Sequence, residues 1–295
     1  MQILMTNFHL ELPGGTETWI KTIGLELSKR GHDVTIFTFK KGEFAKRLER
    51  LGLYITDSFD SNKNFDIALI NHNSCLELIR RNRKNSYPLL FTSHGPNEEL
   101  EKPVRGADYY FAVSEEVQER CKSWGFEAEI MRNPIDCETF NIAEPINVKI
   151  RTILALSHHK DVQKQIRKIG RKLKAKVILL GHKMGNISWE VQNEINSADL
   201  VVTLGRGCLE SMACGRNVIV HGAYGADGYV DDESIGEFRK FNCSGRRYGK
   251  DFSKINDFVQ EATKYDPKQG EKNRKYILEN NDVKIIVEKY LKVIM

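Results

Sequence analysis

A glycine-arginine-glycine turn with a glutamate behind it, Gly205-Arg206-Gly207-Cys208-Leu209-Glu210, has the residue types needed to hold a nucleotide. Where such a turn opens a helix, the first backbone N–H groups lack intrahelical acceptors and the helix end carries roughly half a positive charge. That combination suits a phosphate. Glu210 falls about one turn inside the helix. Its carboxylate cannot bind a phosphate, but it can accept hydrogen bonds from the hydroxyl pair of a ribose just beyond it. The expectation is a nucleoside diphosphate bound here. The plainer alternative is a junction without a ligand, in which a first-turn glutamate simply complements the dipole.

His94 is a second candidate, in Thr92-Ser93-His94-Gly95-Pro96. It follows the apolar run Leu89–Phe91 and so ends a buried strand, at the edge where open α/β sheets bind ligands. The same position would also suit a loop histidine with no role beyond its own hydrogen bonds. His32 falls in a helix–strand turn, and His72 and His221 cap strands. Neither His158-His159 nor Asp231-Asp232 reads as a metal site. Adjacent histidines rarely ligate together, and the aspartate pair follows Gly228-Tyr229-Val230 in what reads as a surface loop.

These residues need a sheet to carry them. Leu200–Leu204 has the composition of a strand buried on both faces, Cys208–Cys214 of a short helix stopped by Gly215, and Asn217–Val220 of the next strand. The chain opens with the same kind of unit. Gln2–Met5 reads as a strand, Pro13-Gly14-Gly15-Thr16 as a turn, Glu17–Arg30 as a helix and Asp33–Phe39 as a second strand. The pair Gly14-Gly15 lets backbone approach a ligand, or serves as a plain turn. Neither a G-x-G-x-x-G fingerprint nor a P-loop occurs. Strands follow at Ile67–Asn71, Leu89–Ser93 and Tyr109–Val113, with Ser114 placed to cap a helix over Glu115–Trp124. Glu129–Phe140 breaks periodicity and, with the polar stretch Asn141–Asn147, reads as a hinge. A second sheet then begins at Arg151–Leu156, followed by the loop Ser157–Lys160, a basic helix to Lys174 and the strand Lys176–Leu180, ending at Gly181-His182. Glu233–Arg247 is irregular, and Lys254–Thr263 and Glu271–Ile294 read as helices. The expected class is α/β, with two Rossmann-like domains facing across a cleft. Residues 1–145 form the first, on the acceptor side, and 146–280 the second, on the donor side. A carboxyl-terminal helix over 281–295 can return to the first.

Composition agrees with a two-domain globular chain: 295 residues, 40% apolar and 29% charged. The six cysteines form no C-x-x-C pair, which points to reduced thiols rather than a disulfide or zinc framework. The amino terminus is broken too early by Pro13 to be a signal peptide, and no apolar run is long enough to span a bilayer. A cytoplasmic location is expected. The net charge of +5 is uneven, with eight Lys/Arg against one Asp over Lys160–Lys176, and further clusters at Arg80–Lys84 and Arg239–Lys250. These are either solvated helix faces or surfaces for anionic partners, namely phosphates or the headgroups of an inner membrane leaflet. Nucleic acid is not expected, because the basic runs lack interleaved aromatics.

Four segments resemble the retaining glycosyltransferases of the two-Rossmann-domain (GT-B) type, family 4. They are Pro13–Glu17 with the helix ending Gly31-His32-Asp33-Val34, Phe91–Gly95, Val113-Ser114 through Arg132-Asn133-Pro134-Ile135-Asp136 to Phe140, and Glu210–Ile219. The resemblance covers about residues 1–230. It implies transfer of a sugar, with retention and without a metal or other cofactor, from a nucleotide-diphosphate-sugar to a saccharide, glycolipid or protein-glycan acceptor. Glu210 would hold the ribose, the Gly205–Cys208 backbone would lie near the diphosphate, and Gly181-His182 near the base. Gly14 and Gly15 would approach donor phosphate or acceptor, and His94 would lie near the transferring sugar. The sequence departs from the family where Val202 stands in place of a first glutamate. It departs again where Ser157-His158-His159-Lys160 replaces the usual cationic clamp, leaving Lys160, Lys164 or Arg206 to neutralise the diphosphate. Two alternatives fit the same architecture: a nucleotide-sugar 2-epimerase, which needs additional acid/base carboxylates, and a catalytically degenerate nucleotide-binding or scaffold protein.

Overall fold

The computed structural model describes residues 1–181, 185–223, 225–252 and 254–293, which pack as two units. The first holds Met1–Pro134 together with the chain from Val283 onward, and the second holds Ile135–Asp282.

The first unit is organised around Gln2–Leu10 (β1), which pairs in parallel with Asp33–Lys41 (β2) on one side and Ile67–Ile70 (β4) on the other. Tyr54–Thr56 (β3), Leu89–Ser93 (β5), Tyr109–Ala112 (β6) and Glu129–Ile130 (β7) complete a parallel sheet ordered β3-β2-β1-β4-β5-β6-β7. The order reverses between β1 and β4, which makes their carboxyl ends a topological switch point. β1 runs five residues beyond the expected Gln2–Met5 because it stays in register with β2 as far as Leu10↔Lys41. Its polar residues Thr6 and Asn7 are fully buried, so apolar patterning does not mark the strand's end. Gly15–Lys29 (α1) buries Trp19, Ile20, Ile23 and Leu27, the stripe expected from their spacing. Glu43–Arg50 (α2) and Asn73–Asn82 (α3) follow. Glu115–Ser123 (α4) is capped by Ser114, whose Oγ accepts from the Val117 N–H at 3.3 Å.

In the second unit, Thr152–Leu156 (β8), Lys176–Leu180 (β9), Leu200–Thr203 (β10), Asn217–Gly222 (β11) and Gly225–Tyr229 (β12) form a sheet ordered β12-β11-β10-β8-β9. Four strands are parallel, and β12 runs antiparallel on β11. Residues 228–230, expected in a surface loop, are instead buried as the end of β12 and the residue after it. Gly225 and Gly228 sit at φ +114° and +105°, so a strand that is half glycine turn had no β-type signature.

Lys160–Leu173 (α5), Val191–Asn196 (α6) and Arg206–Ala213 (α7) cover this sheet, followed by Ile235–Phe238 (α8) and Ile255–Ala262 (α9). The single helix expected over Glu271–Ile294 is two, Pro267–Asn280 (α10) and Val283–Lys292 (α11). The break falls where the Asn281 carbonyl leaves the helix to accept the Ile135 N–H at 2.7 Å. Ile135, Cys137 and Phe140 share a core with Val201, Met212 and Ile277, so residues 135–145 pack in the second unit. All six cysteines are buried free thiols.

Candidate active site

Seven of the residues singled out for the donor stand on one edge of the second unit. Gly181 ends β9, the Ser157–Lys160 loop ends β8, and Gly205 to Glu210 follow β10, the three strands being neighbours in the sheet. Packing between these loops is close. A Cβ on Gly181 would overlap the Ser157 carbonyl, and one on Gly207 would come within 2.5 Å of Thr203 Oγ1 and 3.6 Å of Leu156. Gly205 takes φ +59°, which a side chain would strain, and its N–H donates to the Cys243 carbonyl at 2.7 Å. The turn is therefore tied to its own chain at that point, and the helix begins at Arg206, two residues earlier than its composition indicated.

Arg206 and Glu210 meet across that first turn, Nε to Oε1 at 2.8 Å, with side chains 10% and 9% exposed. Burial lowers the guanidinium's pKa, and the Glu210 and Asp136 carboxylates pull it back up. Separating such a buried pair by removing one partner costs about 3–5 kcal/mol. The cation expected at the phosphates and the carboxylate expected at the ribose thus hold one another in place. Lys160, the first residue of α5, is exposed on the same edge. The Cys208 side chain is buried beside Met212 and Cys243, so only its backbone can serve a ligand. His182, expected near the base, lies outside the described residues.

The first unit places its candidates on its own switch-point edge. His94 follows β5, and its Nε2–H donates to Asn71 Oδ1 at 3.0 Å. Asn71 Nδ2 reaches Asn7 Oδ1 (3.4 Å), and Asn7 Nδ2 donates to Glu17 Oε1 (3.1 Å), which also pairs with His9 Nδ1 (3.0 Å). A Cβ on Gly14 would overlap the Glu17 carboxylate, which would have to shift, whereas Gly15 faces open space. Glu101 closes the group, accepting the backbone N–H groups of His94 and Gly95. Burial, then the Glu98 and Glu17 charges, push its carboxyl up to about 8. Burial also raises Glu17 above the usual carboxylate range, against the pull of His9. His72 is buried and accepts the Phe8 N–H at 2.8 Å, and burial lowers its pKa to about 4.

Asn7, Glu17, Asn71 and Glu101 were not singled out by sequence. One signal was present: Asn71, like His94, is a polar residue set directly after a buried parallel strand. Among the described residues, no group of three or more His, Cys, Asp or Glu could hold a metal ion.

The pattern of Glycosyltransferase Family 4 matches residues 13–139. No curated protein sequence matches the chain. Among solved structures, it is similar to Anabaena Alr3699/HepE in complex with UDP-glucose, at 15% identity, over 99% of both chains, with a TM-score of 0.63. It is similar to an α-glucosyltransferase in complex with UDP and a 13-mer DNA containing an HMU base, at 16% identity, over 100% of this chain and 99% of that one, with a TM-score of 0.63. A putative UDP-N-acetylglucosamine 2-epimerase from Listeria monocytogenes matches over 94% of both chains at 13% identity, with a TM-score of 0.53. At these identities the structural likenesses speak for the fold, and the family pattern speaks for residues 13–139. Residues 13–139 are a glycosyltransferase family 4 domain, within a chain of the two-Rossmann-domain GT-B fold.

Proposed function

We propose that the protein moves a hexose from a uridine-diphosphate sugar to an acceptor hydroxyl, with retention and without a metal. The observation that carries this reading is the buried Arg206–Glu210 pair at the start of α7. A diphosphate on this edge meets the first-turn N–H groups and Arg206, with Lys160 on the same edge, and these supply the positive charge that a metal would otherwise bring to the leaving group. Glu210 holds the ribose through its carboxylate. Gly181 and His182 serve the base. Gly14 and Gly15 let backbone approach donor phosphate or acceptor, and His94 serves the transferring sugar, held by Asn71. The acceptor proton passes to the departing diphosphate as the new glycosidic bond forms on the same face. Uridine is chosen because UDP or UDP-glucose is bound in two of the similar structures. Acceptors considered are saccharides, glycolipids and protein glycans. The exposed cations of α5 suit an anionic membrane surface, which fits a glycolipid. Release of UDP from UDP-glucose on adding acceptor, undiminished by a chelator, tests the proposal; release that depends on added divalent metal contradicts its metal-free part.

One observation favours a second reading, a nucleotide-sugar 2-epimerase. Glu17 and Glu101, both with raised carboxyl pKa values, stand beside His94 and supply the acid/base pair such an isomerase needs. Conversion of donor in the absence of any acceptor would establish it in place of transfer.

A further inference from the structure

His94 is supported on more than one side, and one support comes from the far end of the chain. Beyond its bond to Asn71, its ring meets Trp19 edge to face, with centroids 5.6 Å apart at 80°. Trp19 is itself buried and meets Tyr290 of α11 in the same manner, at 5.9 Å and 88°. The Tyr290 hydroxyl bonds Thr92 Oγ1 at 3.0 Å, two residues before His94, and its ring packs on Phe111 at 5.4 Å. Tyr290 therefore touches both the strand end that carries the histidine's backbone and the indole that lies against its imidazole. A residue that only filled this part of the core would not need a hydroxyl. Burying one costs free energy unless it is bonded, and here its partner is the strand residue next to the site. The α11 helix is drawn onto α1 by Arg30 as well, whose guanidinium donates to the Lys284 carbonyl at 2.9 Å.

We propose that Tyr290 is a positioning residue for His94, fixing the imidazole through Thr92 and Trp19 so that the last helix of the chain completes the site of the first unit. This rests on the reading that His94 takes part in transfer. The consequence is specific: changes at Tyr290 act on turnover and leave the nucleotide edge of the second unit untouched.

The full-length chain is compared as wild type, Tyr290→Leu, Tyr290→Phe, Thr92→Val, the double variant Tyr290→Phe/Thr92→Val, and His94→Ala. Small displacements of a reacting group lower rates steeply, so Tyr290→Leu is expected to lower kcat about tenfold. Tyr290→Phe keeps the ring but loses the bond to Thr92, and is expected to recover part of that, to a kcat about threefold below wild type. UDP affinity stays at the wild-type value throughout, and donor KM stays there in the Tyr290 and Thr92 variants. Because one hydrogen bond joins Tyr290 and Thr92, the double variant is no slower than the worse single variant. The phenylalanine and valine variants keep the packing, so they decide the matter even if the leucine variant does not fold. Lower thermal stability with unchanged kcat in the Phe and Val variants would reduce Tyr290 to core packing and overturn the proposal. An unchanged kcat in His94→Ala would overturn the reading beneath it, and the two failures are separately visible.

Discussion

In the first unit, the ends of β1, β4 and β5 gather Asn7, Asn71 and His94, with Glu17 and Glu101 beside them. In the second, the ends of β8, β9 and β10 gather glycine backbone, a helix start, Arg206 and Lys160, with Glu210 paired to Arg206 across the first turn. Both edges come from parallel strands feeding helices, yet one is rich in buried amides and carboxylates and the other in cations and backbone N–H. The first composition suits hydroxyl groups and the second suits phosphates. The fold supplies the edge, and the residue set directly after each strand decides what the edge can hold.

The largest expected effect breaks the comparison on the side of the first unit. His94→Ala should lower transfer by about a hundredfold, the scale of a donor lost beside the reacting sugar, while UDP affinity in calorimetry stays at the wild-type value. A parallel loss of UDP affinity would show that the two edges do not divide the work. On the other side, Glu210→Ala should weaken UDP binding by about 1.5–3 kcal/mol, the scale of charge-assisted hydrogen bonds, and should weaken uridine as well because the ribose is common to both. Arg206→Ala should weaken UDP more than uridine, whose loss is confined to the support that Arg206 gives Glu210. Equal effects of both substitutions on uridine would remove the phosphate and ribose assignments.

A smaller effect concerns pH and sharpens the contrast in burial. Glu101 has its carboxyl raised to about 8 in the folded chain, from an ordinary value of 4.5. A raised acid favours the folded state below its unfolded pKa and loses that contribution as pH rises through the folded value. Unfolding of the wild type should therefore become easier between about pH 4.5 and pH 8, and Glu101→Gln should flatten that slope. Denaturant titrations across the range would show it, and identical slopes in the two proteins would contradict the burial argument.

The smallest effect lies on α5, where Arg167, Lys168, Arg171 and Lys172 are exposed over a buried apolar face. Like charges three and four residues apart repel by a few tenths of a kcal/mol each, about 0.2–0.5, so this stripe is mildly self-destabilising unless an anionic surface meets it. Sedimentation with vesicles containing phosphatidylglycerol should capture the wild type at low salt, and Arg167→Glu with Arg171→Glu should abolish capture. Equal recovery of both proteins would leave the helix a solvated face.

Much of this architecture was legible in the sequence for one reason: parallel strands buried on both faces print themselves as short apolar runs, as Ile67–Ile70 and Leu200–Thr203 do. The alternation of such runs with helices gave the class of fold. What periodicity could not show was backbone carried by glycine, as in β12, or a strand that buries Thr6 and Asn7 without an apolar label. The break at Asn281 was hidden because it depends on a carbonyl bonded to Ile135, 146 positions away in the chain. For the site, Arg206, Glu210 and His94 stood out through local spacing. Glu17 and Glu101 did not, because a surface-type residue in a first turn or a loop looks the same whether it is solvated or folded inward. Their burial is a property of the tertiary structure alone.

The most direct test is a calorimetric titration of UDP against the wild type, Arg206→Ala and His94→Ala. The account predicts binding to the wild type, a loss on the scale of about tenfold or more in Arg206→Ala, where a charged hydrogen bond is removed, and no change in His94→Ala. UDP that binds all three equally, or binds none of them, contradicts it.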